Sequence, residues 1–292
     1  MQFAARFELT PAPETVSLCR GIEPEGLAAE RIFEEWRKLV LMGVRPSIGL
    51  TFLRDTGWLR HFSELEALID CPQNPRWHPE GDVWIHTLHC MDVFASERVG
   101  DAREDLVVGL AVLCHDLGKP ATTTIDDDGR VRSRGHERVG VAQTRTFLER
   151  LTREVSLVEE VIPLVAEHLA PVELFQAGAG DAAVRRLARR AGRIDRLVRV
   201  ASADQRGRPP LLIPRFEAGE WLRERAAALD LARSAPGPIV LGRHLIDLGL
   251  EPGPRFAPIL EACFESQLDG EFDTLEGGIA RARALLAEAE SE

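Results

Sequence analysis

The sequence predicts an all-α protein, a multi-helix bundle, on three observations. Apolar residues recur at helical spacing along most of the chain. Aromatic residues make up only 6% and tyrosine is absent, so the core rests on Leu, Val, Ile and Ala, which suit helices more than sheets. No stretch reads as a convincing sheet. With 292 residues, 45% of them hydrophobic and 28% charged, a disordered, collagen-like or low-complexity protein is excluded. A net charge of −11 argues against a generally basic nucleic-acid glove and leaves room for a local basic patch.

Gly26 to about Met42 reads as a charged amphipathic helix with Ile32, Trp36, Leu39 and Val40 on one side and Gly43 as its stop. Ser47 to Asp55 forms a second short helix between Pro46 and Gly57, and Leu59 to Ile69 a third. Three prolines between Cys71 and Pro79 forbid a regular helix there. They mark the boundary between a small helical neck, residues 1–70, and a central domain, residues 71–212. That domain opens with a helix from Asp82 to about Glu97. The next, Glu104 to Leu117, is apolar nearly all round and therefore buried, with Gly118 and Pro120 as its stop. Thr122 to Arg134, which carries Asp126-Asp127-Asp128-Gly129, is a loop or short hairpin. Helices follow near Glu137 to Arg153 and Ser156 to Leu169. After a linker at Ala177 to Gly180, Asp181 is the expected N-cap of a helix reaching Ala191, and another runs from Ile194 to about Gln205. The C-terminal helical region, residues 213–292, holds a helix from Ala218 to about Ser234 and two final helices beyond the turn at Gly249 to Pro254.

Five cysteines, an odd count without a CxxC pair, argue against a disulfide framework or a thiolate zinc site and read as reduced and cytoplasmic. The opening ten residues lack the apolar region of a signal peptide, and no run approaches the roughly 20 apolar residues of a membrane span, so no membrane role is expected.

Five of the eight histidines lie between positions 86 and 168. His115-Asp116 closes the buried helix, where an ionised carboxylate is costly unless paired or metal-bound. Adjacent His and Asp at a helix end can both reach one cation. Alone, such a dipeptide is more often a simple cap. His86 lies in a helix that is apolar on more than one side, and His168 on the core-facing stripe of its own helix. Asp204 falls at the edge of the stripe Ile194, Leu197, Val198, Ala201, and His136 opens a helix after Gly135. Each alone reads as a satisfied core residue; inward His and Asp on successive helices are better explained together, as ligands of one metal site.

Ile85-His86-Thr87, Cys114-His115-Asp116-Leu117-Gly118-Lys119 and Ala203-Asp204 resemble the H…HD…D signature of HD-domain metal-dependent phosphohydrolases. Pro72 to Thr87 resembles the entry to the HD body of bacterial CCA-adding tRNA nucleotidyltransferases. Phe3 to Phe7 resembles the end of that family's head, and Ala29-Glu30-Arg31-Ile32 with Glu34-Glu35 its neck. Leu241 to Leu245, Gly249 to Pro254 and Gln267 to Gly270 resemble its C-terminal helices. The family's nucleotidyltransferase head, with its Gly-Ser motif and DxD carboxylates, has no counterpart here; Asp126-Asp127-Asp128 lies in a polar loop and does not replace it. The expectation is no CCA addition, in a natural headless relative or a shortened chain.

The resemblance implies an HD-domain bundle whose first metal is held by His86, His115, Asp116 and Asp204. His136 and His168 match the extra histidines of binuclear members, with Asp116 bridging. The cofactor is then one or two divalent ions of Mn, Ni, Co, Fe, Mg or Zn. Such ions polarise a phosphoryl group and supply hydroxide at neutral pH. Lys119 resembles a superfamily lysine that holds substrate phosphate and stabilises charge, or else is a cation favouring the helix end. Arg206 and Arg208, just past Asp204, are expected to bind phosphate. Arg185, Arg189, Arg193, Arg196 and Arg199 read instead as a solvated face pairing with the chain's excess acid. His89 reads as structural, His78 as ordering the entry loop, and His61 and His244 as structural or surface residues.

The expected activity is that of a phosphatase or 2′,3′-cyclic phosphodiesterase (EC 3.1 class) acting on nucleotides or RNA ends, with tRNA as a possible partner. Two alternatives stand beside it. One is a non-catalytic tRNA- or RNA-binding module; the other is an HD-type mixed-valent di-iron oxygenase.

Overall fold

The structure is a computed structural model that describes residues 1–211 and 213–290. The boundary expected at Leu212 and the last two residues lie outside the described residues.

Two short helices, α1 (Gln2–Phe7) and α2 (Pro13–Arg20), precede α3 (Ala29–Met42). Phe33, Trp36, Leu39 and Val40 form its buried stripe. It starts three residues later than the sequence suggests, because Gly26 takes φ 78°, outside the helical region. Pro46 opens α4 (Pro46–Asp55) at a position where its missing N–H is harmless. The helix expected over Leu59 to Ile69 is broken into a 3₁₀ turn, Trp58–His61, and the single turn α5 (Ser63–Glu66). Leu59, Phe62, Leu65 and Leu68 are all buried. That spacing of three fits a 3₁₀-like path better than an α-helix.

Asp82 caps α6 (Val83–Ser96), accepting the Ile85 N–H at 2.8 Å. Its other oxygen accepts the Asp70 N–H at 2.7 Å, which pins the proline-rich loop to the helix start. Asp101 caps α7 (Ala102–Cys114), of which every residue from Asp105 to Cys114 is buried. Helix α7 is the central rod, packed against α3 and α6. A short α8 (Lys119–Thr122) leads into the antiparallel hairpin β1 (Thr123–Ile125) and β2 (Val131–Ser133), with Thr123 opposite Ser133. Then come α9 (His136–Leu151), packed on α3 and α10, and α10 (Val155–Ala166), which packs directly on α7.

Helix α10 ends at Ala166, short of the expected Leu169, and a further helix, α11 (Ala170–Gln176), fills the stretch before the linker for which no helix is expected; Pro171 opens it, as Pro46 opens α4. Asp181 is the first residue of α12 (Asp181–Ala191), not its N-cap, and its carboxylate receives Arg225 at 3.0 Å instead. Gly192, at φ 72°, separates α12 from α13 (Ile194–Arg206). Helix α14 (Glu217–Ala228) ends well before Ser234, and α15 (Gly242–Asp247), α16 (Phe256–Asp269) and α17 (Leu275–Glu290) close the chain.

One continuous core runs from Ala5 to Leu231, so neck and central helices are buried together. Trp36 meets Phe62 at 5.1 Å and Phe147 at 5.6 Å, both edge-on, which joins α3, the 3₁₀ region and α9. A second, smaller core under α15 to α17 includes Val240, Leu245, Ile259 and Phe272. Arg186 and Arg189 of α12 reach Glu261, Glu265 and Asp269 of α16 across the gap between them. Among the described residues no helix is long and apolar enough to cross a membrane, and all five cysteines are free.

Candidate metal centre

Six expected ligands arrive from five places in the fold. His86 comes from the first turn of α6, His115 and Asp116 from the turn that ends α7, and His136 from the first position of α9. His168 lies in the turn after α10, and Asp204 in the last turn of α13. All six are buried. Two glycines make this convergence possible. A β-carbon on Gly118 would sit 2.1 Å from the His136 carbonyl oxygen and 2.5 Å from the Gly140 nitrogen. A β-carbon on Gly207 would sit 2.5 Å from Cys90 Sγ. Only a residue without a side chain lets α8 meet α9, and α13 meet α6, so closely.

The imidazoles are oriented by their Nδ1 atoms. His115 donates to the Val112 carbonyl at 2.7 Å, His136 to Ser133 at 2.8 Å and His168 to Val165 at 2.8 Å. His86 Nδ1 lies 2.8 Å from Glu80 Oε1 and 3.2 Å from the Gly207 carbonyl, both acceptors. A proton on each Nδ1 leaves the Nε2 lone pairs facing inward. There they meet one another. His86 and His115 Nε2 are 3.4 Å apart, and those of His136 and His168 are 3.3 Å apart. Asp204 Oδ1 is 3.1 Å from His86 Nε2. Asp116 offers Oδ2 at 3.2 Å from His115 and Oδ1 at 3.2 Å from His136.

Acceptors pointed at acceptors repel unless a cation lies among them. The orphaned atoms show the same thing. Both oxygens of Asp116 are buried without a hydrogen-bond partner; Lys119 Nζ is 2.7 Å from Oδ2 but off the angle a hydrogen bond needs. Asp116, His136 and His168 form one group that could hold a metal, and His86, Cys90 and His115 another. Imidazole with carboxylate suits first-row divalent ions, so the residues present fit such a metal.

The charges follow from this crowding. Burial would raise the Asp116 and Asp204 pKa values, yet both lie well below the usual carboxylate range. His115 and Lys119 hold Asp116 down; Arg208 and His86 hold Asp204 down. Burial would lower His115, but Asp116 and Asp204 outweigh it and its pKa is raised. His168 is lowered to about 3, by burial first and then by His115 and His136, so it stands neutral as a ligand must. A proton on His115 and a metal are thus alternative ways of answering the same two carboxylates.

Lys119 is buried beside the centre and donates to Gln73 Oε1 at 2.6 Å. Arg208 also lies there, with Nη2 2.6 Å from Asp204 Oδ1. Lys119 and Arg208 both line a cleft of about 310 Å³ that opens over Asp116, His136, His168 and Asp204. Arg206 does not, which corrects its expected phosphate role: it pairs with Glu97, just past the end of α6. Two residues on a helix rotate a side chain by roughly 200°, so Asp204 and Arg206 face opposite ways. Arg193 pairs with Asp195 and Glu104, Arg196 with Glu104 and Glu160, and Arg199 with Asp105. His89 is half-buried and stands outside the cluster.

Two neighbours were missed. Cys90 Sγ lies 3.3 Å from His86 Nε2, and burial pushes its thiol pKa well above the ordinary value. The four-residue spacing from His86 on one helix was the available signal. The other is Glu80, whose side chain is fully buried and whose Oε1 lies 2.9 Å from His78 Nδ1 as well as 2.8 Å from His86 Nδ1. Burial would raise the Glu80 pKa, but these two contacts bring it to about 2. A carboxylate behind a ligand histidine fixes its tautomer and raises its basicity. Glu80→Gln is expected to weaken metal affinity about 10- to 100-fold, read by competition with a chelating dye. Unchanged affinity would show that the Gly207 carbonyl alone orients His86.

An all-α bundle that brings together a histidine, a His-Asp pair and a distant aspartate has the arrangement of an HD domain. The chain contains such a domain: the family model described as HD domain matches residues 83–204. HD domains bind divalent metals and define a superfamily of metal-dependent phosphohydrolases. The chain is also similar to curated proteins named Multifunctional CCA protein. That of Laribacter hongkongensis is 34% identical over 71% of this chain and 51% of its own length. That of Cupriavidus metallidurans is 36% identical over 78% and 56%, and that of Xanthomonas campestris pv. campestris 37% identical over 78% and 58%. The chain spans little more than half the length of these relatives.

Proposed function

We propose that this chain is a metal-dependent phosphohydrolase that hydrolyses phosphomonoesters or 2′,3′-cyclic phosphodiesters of nucleotides or RNA ends. The observation that carries this reading is the ring of inward Nε2 atoms around an Asp116 whose two oxygens have no hydrogen-bond partner. His86, His115, Asp116 and Asp204 would hold one divalent ion, and Asp116, His136 and His168 a second. When bound, such ions polarise the phosphoryl group and lower the pKa of water. The chain's own residues do the rest. Lys119 and Arg208 face the cleft and supply positive charge to phosphoryl oxygens. Gln73 keeps Lys119 extended, so its ammonium is placed before substrate arrives. Val112, Ser133 and Val165 hold the imidazole rings in register through the chemistry.

The experiment is metal analysis and turnover on one purified sample. Adenosine 2′,3′-cyclic phosphate and bis-p-nitrophenyl phosphate are assayed with added Mn, Ni, Co or Mg, and again after chelation. Turnover that needs metal and returns on adding it back supports the reading. Bound metal that restores no turnover on either ester counts against a hydrolase, and absence of bound metal counts against the centre itself.

A further inference from the structure

Next to the metal cleft lies a feature that hydrolysis of a simple phosphate ester does not require. Trp77 is 56% exposed, while the other four tryptophans are buried or half-buried. A large indole left in water on an ordered loop forgoes a substantial burial gain. The loop is well tied. Asn74 accepts the backbone N–H of Trp77 at 3.0 Å and of His78 at 2.9 Å, and its side chain accepts that of Arg76 at 3.0 Å. Trp77 is therefore presented, not merely unpacked.

Its surroundings are cationic. The Arg76 guanidinium lies 5.2 Å from the Trp77 ring centroid. Across from it stand Arg130 and Arg132 on the hairpin. Arg132 is paired with Asp126 at 2.6 Å, whereas Arg76 and Arg130 have no ion pair among the described residues. Asp128 also lines this space, and its carboxylate is taken by the Arg130 backbone N–H at 3.1 Å. Together these residues enclose a second cleft of about 710 Å³. It shares Asn74, Trp77, Val131 and Arg132 with the cleft over the metal centre, so the two adjoin.

We propose that this outer cleft is a subsite for single-stranded nucleotides, with a base stacked on Trp77 and a backbone phosphate between Arg76 and Arg130. An exposed aromatic flanked by guanidinium groups is the arrangement that binds single strands without reading sequence. Continuity with the inner cleft adds direction: a phosphate ester over Asp116 would place its neighbouring nucleotide at Trp77. The proposal rests on the phosphohydrolase reading for what happens at Asp116, but nucleotide binding in the outer cleft does not depend on turnover. Its consequence is selection of nucleotide esters over small phosphate esters that lack a base.

The test is binding of fluorescein-labelled hexaadenylate to the full chain in EDTA, read by anisotropy, so that no turnover intervenes. Trp77→Ala is expected to weaken binding at least about tenfold, and Trp77→Phe by less than about threefold, because phenylalanine still stacks. Arg76→Ala and Arg130→Ala should each reduce the slope of log affinity against log salt by about 0.7. A hexamer with abasic residues is expected to bind the parent chain as weakly as hexaadenylate binds Trp77→Ala. Competition with adenosine 3′-monophosphate separates the sources. Parity with the hexamer marks a free-nucleotide site, and a hexamer preference above tenfold marks an RNA end. The proposal is overturned if Trp77→Ala binds like the parent, or if the abasic hexamer binds as well as hexaadenylate, whatever the protein hydrolyses.

Discussion

Asp116→Ala is expected to abolish metal-dependent hydrolysis and to remove the stabilisation that metal confers. Among the described residues Asp116 is the one side chain whose two oxygens face both histidine pairs, Oδ2 toward His115 and Oδ1 toward His136. In the proposed centre, losing it would cost both halves a ligand, which losing His86 or His168 would not. A ligand at 100 times its Kd stabilises the folded chain by about 2.7 kcal/mol. For a domain of this size each kcal/mol raises Tm by about 2–4 °C. The parent Tm should therefore rise several degrees on adding Mn or Ni, while that of Asp116→Ala stays flat. The increment is the informative quantity, because the absolute stability of the variant mixes opposing effects. Removing a buried carboxylate relieves its desolvation, while Lys119 loses one partner and keeps only Gln73. If the variant kept both turnover and the metal-induced rise, Asp116 would not be the bridging ligand.

What the sequence reveals and what it hides divides along physical lines. His115-Asp116 is legible because a charged pair ends a helix that is apolar all round, a conflict that calls for a cation. Asp204 is legible because the stripe of α13 places it on the core side. Arg206 is not, since nearness in sequence is not nearness on a helix. Glu80 is hidden for another reason. It lies in a proline-rich loop without periodicity, and only the folded path brings it under His86. The same holds for Trp77, which lies in the same loop and which the fold leaves in solvent. Helix positions are recovered well where the apolar period is 3.6, as in α3 and α7. They fail over Leu59 to Leu68, where a period of three yields a 3₁₀ turn and a single α turn. Gly118 reads as the stop of the buried helix, but α7 ends at Cys114 and Gly118 instead stands at the start of α8; that it must also admit the His136 backbone is a tertiary fact.

That second role makes Gly118→Ala the substitution with the largest effect outside the ligands. The added methyl would lie 2.1 Å from the His136 carbonyl oxygen and 2.9 Å from its carbonyl carbon. Both are backbone atoms, so no rotamer change relieves the clash, and the start of α9 must move. Overpacking of this kind costs about 1–3 kcal/mol. His136 is the first residue of α9, so the same movement carries its Nε2 away from Asp116 and from His168. The pair formed by His86 and His115 is anchored instead through α6, Glu80 and Val112, which do not touch this contact. Calorimetric titration is then expected to show two metal equivalents in the parent and one in the variant. A displacement of about 1 Å in a catalytic group costs on the order of 10²-fold in rate, and turnover should fall accordingly. Gly237→Ala is the matched control. Its β-carbon would meet open space, its φ lies outside the left-handed region, and its effect is expected within about 0.5 kcal/mol. Equal metal stoichiometry in parent and Gly118→Ala would mean that His136 is held by the hairpin through Ser133, and that the close approach at Gly118 serves packing alone.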